Sequence, residues 1–426
     1  TGAPSSLTSS TGDIILTNPD NSFFGATSLV ATLGDLSFAG SVAGSLATTS
    51  GGATSFGLTT LTGGLTTTSV GDITQTGAIT TGAPSSITST TGDIVLTNPD
   101  NAFFGATSLT ATLGDLSFAG SVAGSLATTS GATTSFGTTT LTGGLTTTSV
   151  GDITQTGAII VSKLGLSGAG RFTLNLSNAQ SAPLNQISTF ASSATGAVVL
   201  TTNTALTIGT VNPTGITTGG AAITITAPSI DASSTTIDTR SASNVVTSGI
   251  VTLTTTGTGS AGNLVVGNII TTGASAAASS DGQGGNAGNI TLTAAGSSLT
   301  VSGAISARAG AADGSGAAGI DGTVKLIAAA GQVLQANGSG TNAINAGGLL
   351  VDAGLAVTLL DTGNNISRLS GRVSGTGEEF KFASSNAFAI NGGTAANLGW
   401  TGLATSGGNV TLLATSAATV LENITT

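Results

Sequence analysis

Residues 1–80 and 81–160 are two copies of one unit. They align without a gap, TGAPSSLTSSTGDIILTNPDNSFFGATSL being answered by TGAPSSITSTTGDIVLTNPDNAFFGATSL, and about nine positions in ten are identical. Such self-similarity restricts the chain to repeat architectures, in which one unit cannot bury its apolar face alone and stacks on its neighbours. Replacements between the copies are mild, Leu7 for Ile87, Ile15 for Val95 and Ser22 for Ala102. Leu58 for Thr138 marks a position that faces water.

The unit divides further. Gly-Asp followed by an apolar residue recurs at Asp13, Asp35, Asp72 and Asp93, at intervals of 22, 37 and 21 residues. The middle interval is close to two of the others, so four coils of about 20 residues fit one unit. Ile14 and Leu16, Leu36 and Phe38, and Leu29, Ala31 and Leu33 alternate with other residues, placing each set on one face of a strand. Thr, Val, Ile and Phe suit that pleated surface. Gly-Gly, Thr-Gly and Asn-Pro-Asp-Asn clusters supply corners, and no helical stripe is found. The expected fold is all-β, a parallel β-helix (solenoid) with rungs about 4.8 Å apart. Some 21 coils make a rod of roughly 100 Å. Phe23, Phe38 and Phe56 are expected to form internal layers with Phe103, Phe118 and Phe136. A propeller is the alternative, but its blades need about 40–50 residues and usually aromatic signatures. The domain organisation read here is 1–80, 81–160 and a degenerate but continuous solenoid over 161–426.

Composition narrows the function classes. Charged residues are 6% of the chain against about 25% in ordinary domains, so hydroxyls and amides must coat the surface. With 39% hydrophobic residues and a mean hydropathy of +0.41, there is enough Ile, Leu and Val for a core, which disfavours disorder. The net charge is −10, and residues 1–160 hold eight aspartates with no Lys or Arg, a surface that repels nucleic acid and anionic lipid. No apolar run of about 18 residues exists to span a bilayer as a helix. Without Cys there is no disulfide framework. The start at Thr1, with no initiator Met or leader, reads as a segment whose targeting signals lie elsewhere.

Beyond Val161 the repeat decays but its grammar persists, in NLVVGNIITTG, in GGNAGNITLTAAGSSLTVSGAISARAGA and in GIDGTVKLIAAAGQVL. Gly-rich stretches 281–288 and 310–322 read as loops leaving one side of the rod. With the LTN-x-x-N-x-F unit, these phrases resemble the filamentous-haemagglutinin-like exoproteins and β-strand-repeat surface proteins of bacteria. The resemblance implies a right-handed parallel β-helix, export to the bacterial cell surface, and work as an adhesin or structural fibre. Asn18-Pro19-Asp20-Asn21 and Asn212-Pro213-Thr214-Gly215 are only superficially like the secretion-domain signature of that class.

Candidate chemistry is sparse. Lacking His and Cys, the chain cannot build a His-based triad, a thiol nucleophile or the usual zinc site. The aspartates sit at strand entrances, where they serve turns. Glu378-Glu379, the one acidic doublet, should point to opposite faces. The stretch Asp281 to Asn289 lacks the register of calcium-binding nonapeptides, and the Gly-rich segments lack a phosphate-loop Lys. No catalytic, cofactor or metal residue is therefore assigned. Ranks of Thr, as in LTTLTGGLTTTSV, could suit an ice-binding face, but along the sequence their spacing is not uniform from coil to coil. Trp400 reads as core more than as a sugar platform, and sequons at Asn175, Asn289 and Asn365 are expected by chance. The expectation is a non-catalytic extracellular rod, an adhesin segment or filament, associating end to end or with further repeats. The alternative is a glycan- or receptor-binding module, using residues 281–322 or the Trp400 region. A polysaccharide-active β-helix stands third with ice binding.

Overall fold

The computed structural model describes residues 2–176, 184–277, 282–336, 340–390, 402–416, 418–420 and 424–426. They fall into two units, one of Thr1–Thr189 with Val211–Pro213 and one of Phe190–Thr210 with Thr214–Thr426. In both, short strands pair in parallel with strands one coil away, which makes a parallel β-solenoid of about 22 residues per turn and rules out propeller blades. The 3-10 turn Gly259–Gly262 is the one helical element among the described residues.

In the first unit Ser5 pairs with Thr27, Thr27 with Leu46, Leu46 with Leu65 and Thr66 with Ser86, giving coils of 22, 19, 19 and 20 residues. The first and fourth coils carry three strands and the two between them carry two, the second of these being interrupted in its pairing by a bulge. The longest coil owes its length to the Asn-Pro-Asp corner, where Asn18 Oδ1 accepts the Asp20 N–H at 3.0 Å.

The Gly-Asp entrances stack into a column. Asp13 Oδ1 accepts the Asp35 N–H at 2.9 Å, Asp35 Oδ1 that of Ala53 at 2.7 Å, and Asp72 Oδ1 that of Asp93 at 2.9 Å. The 37-residue interval is thus two coils, with Ala53 standing where an aspartate would be. These carboxylates do more than shape a turn: each ties its coil to the next. Beside them the backbones touch, so that a Cβ on Gly34 would lie 2.4 Å from the Gly12 carbonyl group. Buried serines fasten the same corner from inside, Ser50 Oγ donating to Gly34 O at 2.9 Å and Ser89 Oγ to Gly71 O at 2.8 Å.

The interior is layered as the sequence predicts. Phe38 registers with Phe56 and Phe118 with Phe136, all four fully buried, each contributing about 1.5–3 kcal/mol of hydrophobic stabilisation. Phe103 is buried with its ring 6.1 Å from that of Phe118, while Phe23, 6.2 Å from Phe38, is half-buried. Leu58 and Thr138 both face water. A polar rung crosses this core. Buried Asn101 accepts from Gln75 Nε2 and from the Ile79 N–H, both at 2.9 Å, and donates to Gln75 Oε1 at 2.8 Å and Ala119 O at 3.1 Å. Asn185 makes the same reciprocal pair with Gln155, and in the second unit Asn364 makes it with Gln335.

The second unit keeps the columns but loosens the connections. Val198, Ile223, Val251, Ile290 and Val324 pair in succession, one residue per coil, although 25, 28, 39 and 34 positions separate them. Two positions on, Leu200, Ile225, Leu253, Leu292 and Leu326 form a second buried column. The strands hold their register because chain of any length can leave between them.

Candidate binding surfaces

Each strand of an antiparallel or parallel ladder turns alternate residues outward, and in the first unit one outward column is nearly uniform. Thr8, Val30, Thr49, Thr68, Thr88, Thr110, Thr129 and Thr148 lie in direct register on successive coils. A second column two residues earlier holds only Ser, Ala and Thr: Ser6, Ser28, Ala47, Thr66, Ser86, Ser108, Ala127 and Thr146. This corrects the expectation of irregular Thr spacing. The irregularity is confined to the corners, and the strands between them cancel it. No register shift interrupts this ladder, whereas the strand Leu36–Val42 meets Thr54–Leu61 with a bulge between Phe38 and Gly40.

In the second unit the Gly-rich segments do leave the strands, but they lie on one another. Gly284 N donates to Ala317 O at 2.9 Å, Gly310 N to Gly285 O at 2.9 Å and Ala287 N to Ile320 O at 3.0 Å. Glycine is needed for this approach, since a Cβ on Gly284 would lie 2.0 Å from Gly310 O. Arg308 buckles the later segment down: its guanidinium donates to Asp321 Oδ2 at 2.6 Å and to Asn365 O at 2.7 Å, while Asp321 Oδ1 accepts the Ala309 N–H at 2.7 Å. A recess of about 620 Å³ opens against these segments, lined by Asn244, Val245, Gln283, Asn286 and Ile320 among others. Val245 is 86% exposed and Ile320 72% exposed. Another recess, of about 490 Å³, holds Thr217, Asp238, Arg240 and Thr272. There Arg240 Nη2 reaches Asp238 Oδ2 at 2.6 Å, and this hydrogen bonding, then the carboxylate's charge, raises the guanidinium above its ordinary pKa. The pair is locally neutral.

The remaining sequence candidates are accounted for individually. Glu379 pairs with Lys381 and with Asn409, and its carboxyl is held below the usual range by those hydrogen bonds and by the lysine's charge. Asn289 Oδ1 accepts the Thr323 N–H at 2.8 Å, and Asn365 serves Arg308, so two of the three sequons do structural work. No cluster of three carboxylates with metal-binding geometry occurs among the described residues. Asp281 and Trp400 lie outside the described residues.

The family described as repeats of unknown function (DUF5649) matches residues 32–110 and 123–189. No curated protein and no solved structure matches the chain. With the repeat match and the stacked parallel coils together, the chain is a β-strand-repeat protein of solenoid architecture.

Proposed function

We propose that this chain is a segment of an extracellular structural or adhesive rod of a bacterial surface, whose work is to extend and to stack. One observation carries the reading. The last coil of the first 80-residue unit receives the first coil of the second in the parallel register that joins coils within a unit, Thr66 pairing with Ser86 as Ala47 pairs with Thr66. Ile87 is fully buried at this junction, and Asn101 is bonded across it to Gln75. A unit that stacks on its own copy in this way can be repeated, which suits a chain that builds length by adding coils. The resemblance to filamentous-haemagglutinin-like exoproteins supports the same assignment. Negative-stain imaging and sedimentation of the chain, beside a variant in which residues 81–160 are duplicated, test it. A particle longer by about 19 Å, four rungs of about 4.8 Å, is expected; an unchanged length would overturn it.

A second reading, a glycan- or receptor-binding module, draws on the recess beside Val245 and Ile320. Deleting residues 310–322 should abolish binding to an immobilised glycan panel while the β-sheet circular dichroism signal persists. Unchanged binding removes this reading.

A further inference from the structure

The outward face of the strands Ser5–Ser9, Thr27–Ala31, Leu46–Ser50, Leu65–Ser69, Ser85–Ser89, Thr107–Ala111, Leu126–Ser130 and Gly144–Ser149 has three properties in combination. It bears no charged side chain. It is a two-dimensional grid, about 4.8 Å from coil to coil and about 6.7 Å between the two columns on each strand. Seven of the eight positions in its main column are threonine, each offering a hydroxyl beside a methyl.

A β-branched side chain held in a parallel ladder keeps few rotamers, so these hydroxyls and methyls repeat in fixed positions rather than as an average. Water bonded to each hydroxyl is then held at the same two spacings, and the methyls between confine it laterally. Such a layer costs little further ordering to merge with a crystal whose own oxygen atoms repeat, since the immobilisation of the waters has already occurred. The other partners a flat surface could take fit less well. Protein partners prefer surfaces with aromatic and Arg anchors, and the two columns contain none. Sugar chains gain from an aromatic side chain with an apolar body and polar tip, and this face has none either.

We infer that this threonine face adsorbs to ice. The inference does not depend on the structural role proposed above, because the face lies along the coils and not at their ends.

The experiment is nanolitre osmometry on the purified chain with ice as the probe. A gap between melting and freezing is expected, with faceted crystals in place of discs. Thr68→Tyr, and separately Thr129→Tyr, should remove most of that gap, because in each a ring stands above the grid. Thr60→Tyr, outward on a different strand, should leave it intact. Circular dichroism confirms that all three variants keep their strands. Disc-shaped crystals with no gap for the unaltered chain would overturn the inference. So would an equal loss in Thr60→Tyr, or binding to crystalline cellulose or to a second copy of the chain with no effect on ice.

Discussion

Gln75 and Asn101, 26 positions apart, exchange two amide hydrogen bonds inside the first unit, Gln75 Nε2 to Asn101 Oδ1 at 2.9 Å and Asn101 Nδ2 to Gln75 Oε1 at 2.8 Å. Asn101 also satisfies the backbone at Ile79, Leu96 and Ala119. Asn101→Leu strands those buried groups together with the Gln75 amide. At about 1–3 kcal/mol for each, the variant should lose at least ~3 kcal/mol, read from its denaturation midpoint. In a double-mutant cycle with Gln75→Leu, the two losses should fall short of adding, by about 0.5–3 kcal/mol.

Thr54 sits in a buried column between Leu36 and Ile73, and its hydroxyl has no hydrogen-bond partner; Thr134 repeats the situation. Valine has the same shape without the stranded polar atom. Thr54→Val should therefore stabilise the chain by about 1 kcal/mol, and Thr134→Val likewise. A lower melting temperature for either variant would refute the account.

Two glycines give a paired test. A Cβ on Gly34 meets the Gly12 backbone at 2.4 Å, while one on Gly144 meets nothing nearer than Lys163 O at 3.5 Å. Gly34→Ala should cost about 3 kcal/mol or more by forcing two coils apart. Gly144→Ala should change stability by less than about 0.5 kcal/mol. Limited proteolysis around residue 34 would report the difference directly.

Arg308 closes the segment 310–322 onto the coil body through Asp321 and Asn365. Arg308→Met should raise amide exchange across 310–322 while leaving Ile290–Gly296 protected. Uniform exchange in both regions would show that the buckle is ornamental.

The Glu379 carboxyl is held below the ordinary glutamate range by its hydrogen bonds to Lys381 and Asn409 and by the lysine's charge. A depressed folded pKa contributes stability that is present above the unfolded value and lost as the pH falls through the folded one. The Lys381→Met variant should titrate closer to the ordinary value by carboxyl NMR, without altering behaviour at neutral pH. The pair is solvent-exposed, so added salt should weaken the shift.

Much of this architecture is written openly in the chain. The Gly-Asp spacing locates the corners, the Phe positions locate the core, and the Leu58 to Thr138 exchange identifies an outward site. Two features are hidden because linear distance is a poor guide to stacking. The threonine column looks uneven along the sequence, since coils of 19, 20 and 22 residues absorb their differences in corners such as Asn18-Pro19-Asp20. Asn101 reads as the end of a turn, yet its side chain points inward to a glutamine in the previous coil. The recurrence of Ile-Thr-Gln-Thr-Gly-Ala-Ile in both copies was the available signal. The recess beside Val245 was invisible for a third reason, because its walls come from segments that meet only after the glycines of 282–288 and 310–322 have come into contact.

The glutamine–asparagine rung also sets how such a chain can change in length. Glutamine stands on the last coil of one unit and asparagine on the first coil of the next. Excising the coil that carries Gln75 would slide Phe56 beneath Asn101 and leave the amide facing a ring. Excising or adding all four restores the match. Natural variation in the size of this protein should therefore come by whole units or by the two middle coils, whose Phe38 and Phe56 share one register, and never by loss of the glutamine coil alone.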